Sequence, residues 1–217
     1  MTSGEARKRA AIATHSEQAG EFARRYEAEA PYASCFAYSR RRLGVWLERL
    51  LPARGGGLRL LDVGCGTGHH LAALRARGFE AAGVDGSEAM LAEARARNPQ
   101  AELRQADVEA LPFPDAAFDV VLCIEVLRYL PDPGRCVAEL GRVLRPGGTA
   151  LATAAPLLSL NGYALVNRLA PLLPARLTRL RQYFTTSGRL ARCFRAAGFA
   201  EVGVHGVYLG PINWIER

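Results

Sequence analysis

Leu60-Leu61-Asp62-Val63-Gly64-Cys65-Gly66-Thr67-Gly68-His69-His70-Leu71 is the stretch on which the reading of this 217-residue chain turns. An apolar run ends in an acid, three glycines follow at alternate positions, and a helical pattern begins at His69. That order describes a strand, a tight turn and a helix. Glycines there let the backbone turn sharply and approach a ligand beside the positive end of the helix. The next apolar run, 79–85, closes on Asp85, 19 residues past Gly66. In a doubly wound sheet that position faces a ribose, and a carboxylate there accepts hydrogen bonds from both hydroxyls. The implied ligand is nucleoside-like and lies where the strand order reverses.

Working outward, strands are expected over 58–63, 79–85, 101–107, 119–124 and 149–155, with helices over 69–77, 87–97 and 133–144 between them. Ser87 reads as the N-cap of its helix and Asn98-Pro99 as its end. Pro146-Gly147-Gly148 reads as the stop before the fifth strand. Near-continuous apolar strands alternating with helices predict a mostly parallel α/β sheet covered on both faces. Upstream, 1–30 reads as helical and polar, and 39–51 as a second helix with Leu43, Trp46, Leu47 and Leu50 on one face. Downstream, 156–182 reads as a helical insertion and 187–197 as a helix stopped by Gly198. Strands over 199–205 and 207–214 are separated only by Gly206, a gap that permits a hairpin and no parallel crossover.

Charge is segregated along the chain. Of 28 cationic residues 27 are arginine, and Lys8 is the only lysine. Residues 1–54 carry a net charge of +4, 55–156 of −3 and 157–217 of +6, within a total of +7. Both basic flanks favour an anionic contact over a cationic one. Five cysteines, at 35, 65, 123, 136 and 193, form no CxxC pair. Neither a disulfide framework nor a zinc ribbon is expected, no metal site is read, and a reducing, cytoplasmic setting fits. The N-terminus carries no apolar signal segment. The longest apolar region, 156–175, is broken by Asn161, Asn167, Arg168 and two internal prolines, so it makes no clean bilayer span.

Two nucleoside-like ligands remain, a dinucleotide and S-adenosylmethionine. The spacing is GxGxG, and His69 falls where a dinucleotide fingerprint has its third glycine. Asp62 would repel a pyrophosphate but tolerates a sulfonium and a zwitterionic methionine end. The stretch from about 58 to 155 resembles a class I S-adenosylmethionine-dependent methyltransferase, of the group that includes the ubiquinone/menaquinone-biosynthesis-like enzymes. Residues 60–68 resemble that family's first motif, and Gly83-Val84-Asp85-Gly86-Ser87 with Met90 its second. Ala106-Asp107-Val108 resembles the adenine-contacting segment. Leu111-Pro112-Phe113 with Phe118-Asp119-Val120-Val121 resembles the Pro-aromatic turn and fourth strand, and Glu139-Leu140 with 142–148 the fifth motif.

The resemblance implies a Rossmann-like sheet of seven strands with a reversed last strand, in agreement with the short Gly206 gap. It implies a single domain over 1–217. An N-terminal helical lid (1–54) would precede a cofactor-binding core (55–155), a helical insertion or acceptor lid (156–186), and a C-terminal helix and hairpin (187–217). The cofactor residues it implies are Asp62, Gly64, Cys65, Gly66, Gly68, Asp85, Gly86, Met90, Asp107, Val108 and Cys123. Cys65 and Cys123 read as small apolar fillers rather than nucleophiles. Tyr26, in a segment resembling the family's N-terminal cover, is a lid candidate together with Tyr32 and Tyr38. Glu125 and Arg128 follow the fourth strand, where the family places acceptor-facing loops. Many relatives carry His near Arg128, and this departure leaves no evident general base there. His69 and His70 read equally as cofactor neighbours or packing residues.

The expected reaction is in-line displacement at a methyl carbon, for which the protein supplies chiefly proximity and orientation. The acceptor is expected to be small and anionic or lipophilic, methylated at oxygen or nitrogen. The apolar, arginine-studded insertion reads as an acceptor pocket, as a surface for peripheral membrane contact, or as a cover packed on the sheet. A peptide or protein methyltransferase, an NAD-type oxidoreductase and a non-catalytic nucleoside-binding module are the alternatives. Nucleic acid is not an expected partner, because the chain lacks a target-recognition domain and the (Asn/Asp)-Pro-Pro-aromatic motif.

Overall fold

β1 (Arg59–Val63) forms the centre of the sheet because its residues suit burial on both faces: Leu60, Leu61 and Val63 are fully buried. The computed structural model describes residues 3–28, 35–156 and 182–205. Within them α1 (Ser3–Glu17), α2 (Ala19–Ala28) and α3 (Cys35–Leu50) precede β1. Then come α4 (His69–Ala76), β2 (Glu80–Asp85), α5 (Glu88–Arg97), β3 (Glu102–Gln105) and β4 (Phe118–Cys123). A 3-10 turn (Leu127–Tyr129), α6 (Gly134–Val143) and β5 (Leu144–Ala152) follow. The short strands β6 (Ala155–Pro156) and β7 (Phe184–Thr185) and helix α7 (Ser187–Ala196) complete the described residues.

The central sheet has the order β3-β2-β1-β4-β5 and every pairing is parallel. Connections leave β1 toward β2 on one side, then return across it to β4. The C-terminal ends of β1 and β4 therefore border the crevice where ligands bind in open α/β sheets. Alternation along the strands sorts the core into two layers. Leu61, Val63, Val121 and Cys123 join Cys136, Val137 and Leu140 of α6 on one face. Leu60, Val120 and Leu122 meet Leu47 of α3, Leu71 and Leu74 of α4 and Leu91 of α5 on the other. The Ser87 cap is present: its Oγ accepts from the Met90 N–H at 3.2 Å.

Three expectations need correction. Pro146-Gly147-Gly148 lies inside β5 rather than before it. β4 holds Phe118 against Leu144 and Val120 against Thr149, so the extra residues between them bulge out of the ladder. Leu50 is 41% exposed, and Leu51, just beyond the helix, joins Leu47 in the core layer in its place. Residues 199–205 form no strand, for a strand needs a ladder and these residues add none to the β5 edge. The expected partner over 207–214, and with it the antiparallel last strand, lies outside the described residues, as does 157–181 of the insertion. β6 and β7, absent from the sequence reading, form a separate two-stranded parallel pair.

Candidate active site

The loop after β1 is tied to the end of β2. The Gly64 and Cys65 N–H groups both donate to the Val84 carbonyl, at 2.8 and 2.9 Å. The Gly66 N–H donates to Asp85 Oδ2 at 2.9 Å, and the Ser87 N–H to Oδ1 at 2.8 Å. One carboxylate thus fixes both the glycine loop and the start of α5. Asn98, buried at the end of α5, donates to the Gly68 carbonyl at 3.0 Å and holds the start of α4 against α5. Gly64 has φ +75°, and a Cβ there would lie 2.2 Å from Val126 Cγ2. The loop following β4 therefore packs directly on the glycine loop.

Three acids have distinct surroundings. Asp62 is 1% exposed and neither carboxylate oxygen has a hydrogen-bond partner. Burial, reinforced by the charge of Asp85, pushes it up to about 7. A buried carboxylate without a partner is costly, and a cationic ligand would relieve that cost. Asp85 is also raised: burial outweighs the N–H groups of Ser87, Gly66 and Gly86 and the charge of His15. Asp107 is more open. Its Oδ1 accepts from the Glu109 N–H at 3.0 Å and its Oδ2 from Lys8 Nζ at 2.6 Å. These bonds outweigh partial burial and hold it below the usual carboxylate range.

The N-terminal helices lie over these acids. Lys8 of α1 bridges Asp107 and Glu109. Ser16 Oγ lies 2.6 Å from Ser87 Oγ, and a Cβ on Gly86 would come within 2.8 Å of Ile12 Cδ1. Tyr26 of α2 stacks on His69, with ring centres 4.1 Å apart and planes 21° from parallel. The Arg40 guanidinium sits 5.1 Å from the centre of the Tyr26 ring and donates to the Tyr26 carbonyl at 2.7 Å. Burial, then the charges of Glu125 and Asp62, push the Tyr26 phenol up to about 12 against the opposing pull of Arg40. Tyr26 thus feels both the acid of β1 and the loop after β4. Burial, with help from Arg40, lowers His70 to about 4, so it is a neutral imidazole at pH 7.

Glu125 adopts φ +61°, a left-handed conformation rare outside glycine. Thr153 supports it, accepting from the Glu125 N–H at 2.7 Å and donating to Oε1 at 3.1 Å. Arg128 pairs with Glu125, its Nε is buried with no partner, and its carbonyl accepts from the Tyr183 N–H at 2.7 Å.

The structure brings Asp62, Gly64, Cys65, Gly66, Gly68, Asp85 and Gly86 together at the ends of β1 and β2. Asp107 lies just beyond β3. Met90 contributes its N–H to the Ser87 cap and buries its side chain, while Val108 packs partly buried on the α6-side core. Cys123 is fully buried in that core beside Cys136, and the Cys136 thiol and burial hold its thiol well above the ordinary value. Burial and the nearby acids raise Cys65 likewise, consistent with two inert, space-filling thiols. Tyr32 and the side chain of Tyr38 lie outside the described residues. The sequence reading missed Ile12, Ser16, Asn98, Val126 and Thr153, which act through contacts distant in the chain. Lys8 was visible only as the sole lysine.

Strand order, glycine loop and acids are those of an open α/β protein with its crevice at the C-terminal ends of β1 and β4. Comparison with known proteins narrows this class. Residues 61–152 match the family model described as a methyltransferase domain. A ubiquinone biosynthesis O-methyltransferase from Bordetella avium is 30% identical over 204 residues, covering 89% of this chain and 82% of that protein. A probable S-adenosylmethionine-dependent methyltransferase from Mycolicibacterium smegmatis is 32% identical over 173 residues, 78% of this chain. The chain spans 62% of that relative's length. The fold is that of a solved methyltransferase from Thermotoga maritima, described as a possible histamine N-methyltransferase. Its TM-score is 0.66 at 24% identity, covering 86% of this chain and 80% of that one. The chain belongs to the class I S-adenosylmethionine-dependent methyltransferase family, whose cofactor is S-adenosylmethionine.

Proposed function

We propose that this protein transfers a methyl group from S-adenosylmethionine to a small anionic or lipophilic acceptor, at oxygen or nitrogen. The observation that carries the reading is Asp62, a fully buried carboxylate with both oxygens unpartnered, beneath the glycine loop. The methionine end of the cofactor is the cation that suits it. Asp85 would hold the ribose and Asp107 the adenine amine. Gly64, Cys65, Gly66 and Gly68 would form the wall of the cradle, with Gly86, Met90, Val108 and Cys123 supporting it. Bound, S-adenosylmethionine supplies an electrophilic methyl carbon.

The chain's own contribution is to bind and orient. Tyr26, lying between the influence of Asp62 and that of Glu125, marks the border between cofactor and acceptor. Tyr26 and the Glu125–Arg128 pair, with Tyr32 and Tyr38, would face the acceptor, and Arg128 suits an anionic group. Proximity and orientation of this kind contribute about 7–11 kcal/mol in well-aligned cases. An acceptor already ionised needs no general base. The lid over 1–54, the acceptor-facing insertion over 156–186, the closing hairpin and the seven-strand sheet complete this reading. A cytoplasmic setting and peripheral membrane contact through the insertion belong to it as well. No helix among the described residues is long and apolar enough to cross a membrane.

Thermal unfolding with S-adenosylmethionine, S-adenosylhomocysteine, NAD and NADP tests the cofactor. A ligand at 100 times its Kd adds about 2.7 kcal/mol to stability. Stabilisation by the first two alone is expected, and stabilisation by NAD alone would overturn the reading. Asp85→Ala should remove that stabilisation. Methyl-labelled cofactor offered with panels of carboxylates, phenols and amines then identifies the acceptor class.

A further inference from the structure

Helix α1 lies across the adenosine end of the cradle, yet little apolar surface holds it there. Ala11 is its one buried side chain among those described. What fixes α1 is a set of mostly polar and ring contacts, among them Arg7 donating to the Tyr183 hydroxyl at 3.0 Å and the His15 ring edge-on to Tyr129 at 5.1 Å. Its second half rests on the β2–α5 junction through Ile12 on Gly86 and Ser16 on Ser87. Over the acids its first half is held by Lys8, whose side chain is 18% exposed and whose ammonium spans Asp107 and Glu109. Burial alone would favour the neutral amine, but the two carboxylates outweigh it and raise the Lys8 pKa above its ordinary value. An element held by few apolar contacts and a partly exposed ion-pair network opens locally at low cost.

The position of this pair matters because Asp107, the proposed adenine contact, already has both oxygens engaged. One oxygen already accepts the Glu109 N–H, and the other is taken by Lys8. We infer that Lys8 is a latch: its pairing with Asp107 and Glu109 closes α1 over the adenine end, and cofactor and spent product exchange only when that pairing opens. The inference rests on the S-adenosylmethionine reading above and adds a residue to it. It distinguishes a latch from an ordinary contact. Breaking a contact speeds departure alone, whereas breaking a latch speeds arrival and departure together.

Stopped-flow binding of S-adenosylhomocysteine to the full chain separates the two. Lys8→Met should raise both association and dissociation rates, each by up to about fivefold, the upper range for exposed ion pairs. The dissociation constant then changes less than either rate. Glu109→Gln, which leaves Asp107 in place, should give an intermediate acceleration, and Lys8→Arg should keep exchange slow. Added salt should speed exchange in the parent chain and have little effect in Lys8→Met, because screening weakens the pair that the variant lacks. Unchanged rates in Lys8→Met, faster dissociation with unchanged association, or an equal salt response in both proteins would each overturn the latch. Failure of the parent chain to bind S-adenosylhomocysteine would instead overturn the cofactor reading.

Discussion

The C-terminal edge of the sheet, where β1 and β2 end, and the helices that cover it are built differently. At the edge, Leu60, Leu61, Val63 and Val84 are fully buried, and the glycine loop is tied down by Val84, Asp85 and Asn98. In the cover, α1 buries only Ala11 among its described side chains, and it is held by the polar and ring contacts of Arg7, Lys8, His15 and Ser16 and by Ile12. The edge is part of the folding core, so its geometry persists whenever the protein is folded. In the proposed latch the cover lifts without unfolding that core. A binding site that is rigid below and detachable above admits a ligand without losing the arrangement that recognises it.

The largest expected effect probes the edge. Burial lifts Asp62 to about 7 in the folded chain from the ordinary 3.8 of an aspartate, so it gives up its proton at a cost as pH rises. A raised folded value means that its contribution to stability is complete below about pH 4 and lost as pH climbs through about 7. The loss is on the order of 4 kcal/mol by pH 8. Ligand-free protein should therefore melt lower at pH 8 than at pH 5, and Asp62→Asn should flatten that slope. A cationic ligand favours the ionised acid, so S-adenosylmethionine affinity should rise with pH in the parent chain and not in the variant. Equal slopes in both proteins would remove Asp62 from the cofactor site.

Next, two glycines of one loop separate packing from approach. Gly64→Ala forces a Cβ to 2.2 Å from Val126 Cγ2 at a positive φ. Strain and overpacking together should cost about 2–5 kcal/mol, read by denaturant unfolding. Gly66→Ala also sits at positive φ, but nothing lies within 4 Å of its Cβ. It should cost only about 1–2 kcal/mol of stability and still weaken cofactor binding, because the new methyl occupies the ligand's side of the loop. If both variants lose equal stability, the loop is not open at Gly66.

The smallest stability effect should come from the cover. Tyr26→Ala removes the stack on His69, worth about 0.5–1.5 kcal/mol in comparable aromatic pairs. Cofactor affinity and kcat/KM should fall roughly tenfold while the main unfolding transition moves by less than about 4 °C. A large drop in melting temperature would make α2 part of the core and erase the contrast between edge and cover.

Sequence alone determined those parts whose physics is short-range. The strand–loop–helix from Leu60 to Leu71 follows from an apolar run, three glycines and a helical period, and the structure has β1 and α4 there. Ser87 is legible as a cap because its partner, the Met90 N–H, is three residues away. The register that sets Asp85 beside Gly66 follows from one βαβ unit. Tertiary structure decided what depends on distant parts of the chain. Lys8 meets Asp107 across 99 residues, and no local pattern encodes that meeting. The bulge within β5 exists because β4 sets the ladder on either side of it. The left-handed turn at Glu125 is supported by Thr153, 28 residues on. The sequence names Asp62 as an acid, but only burial with no donor in reach, reinforced by the charge of Asp85, raises it to about 7, the property on which the proposed seat for positive charge rests.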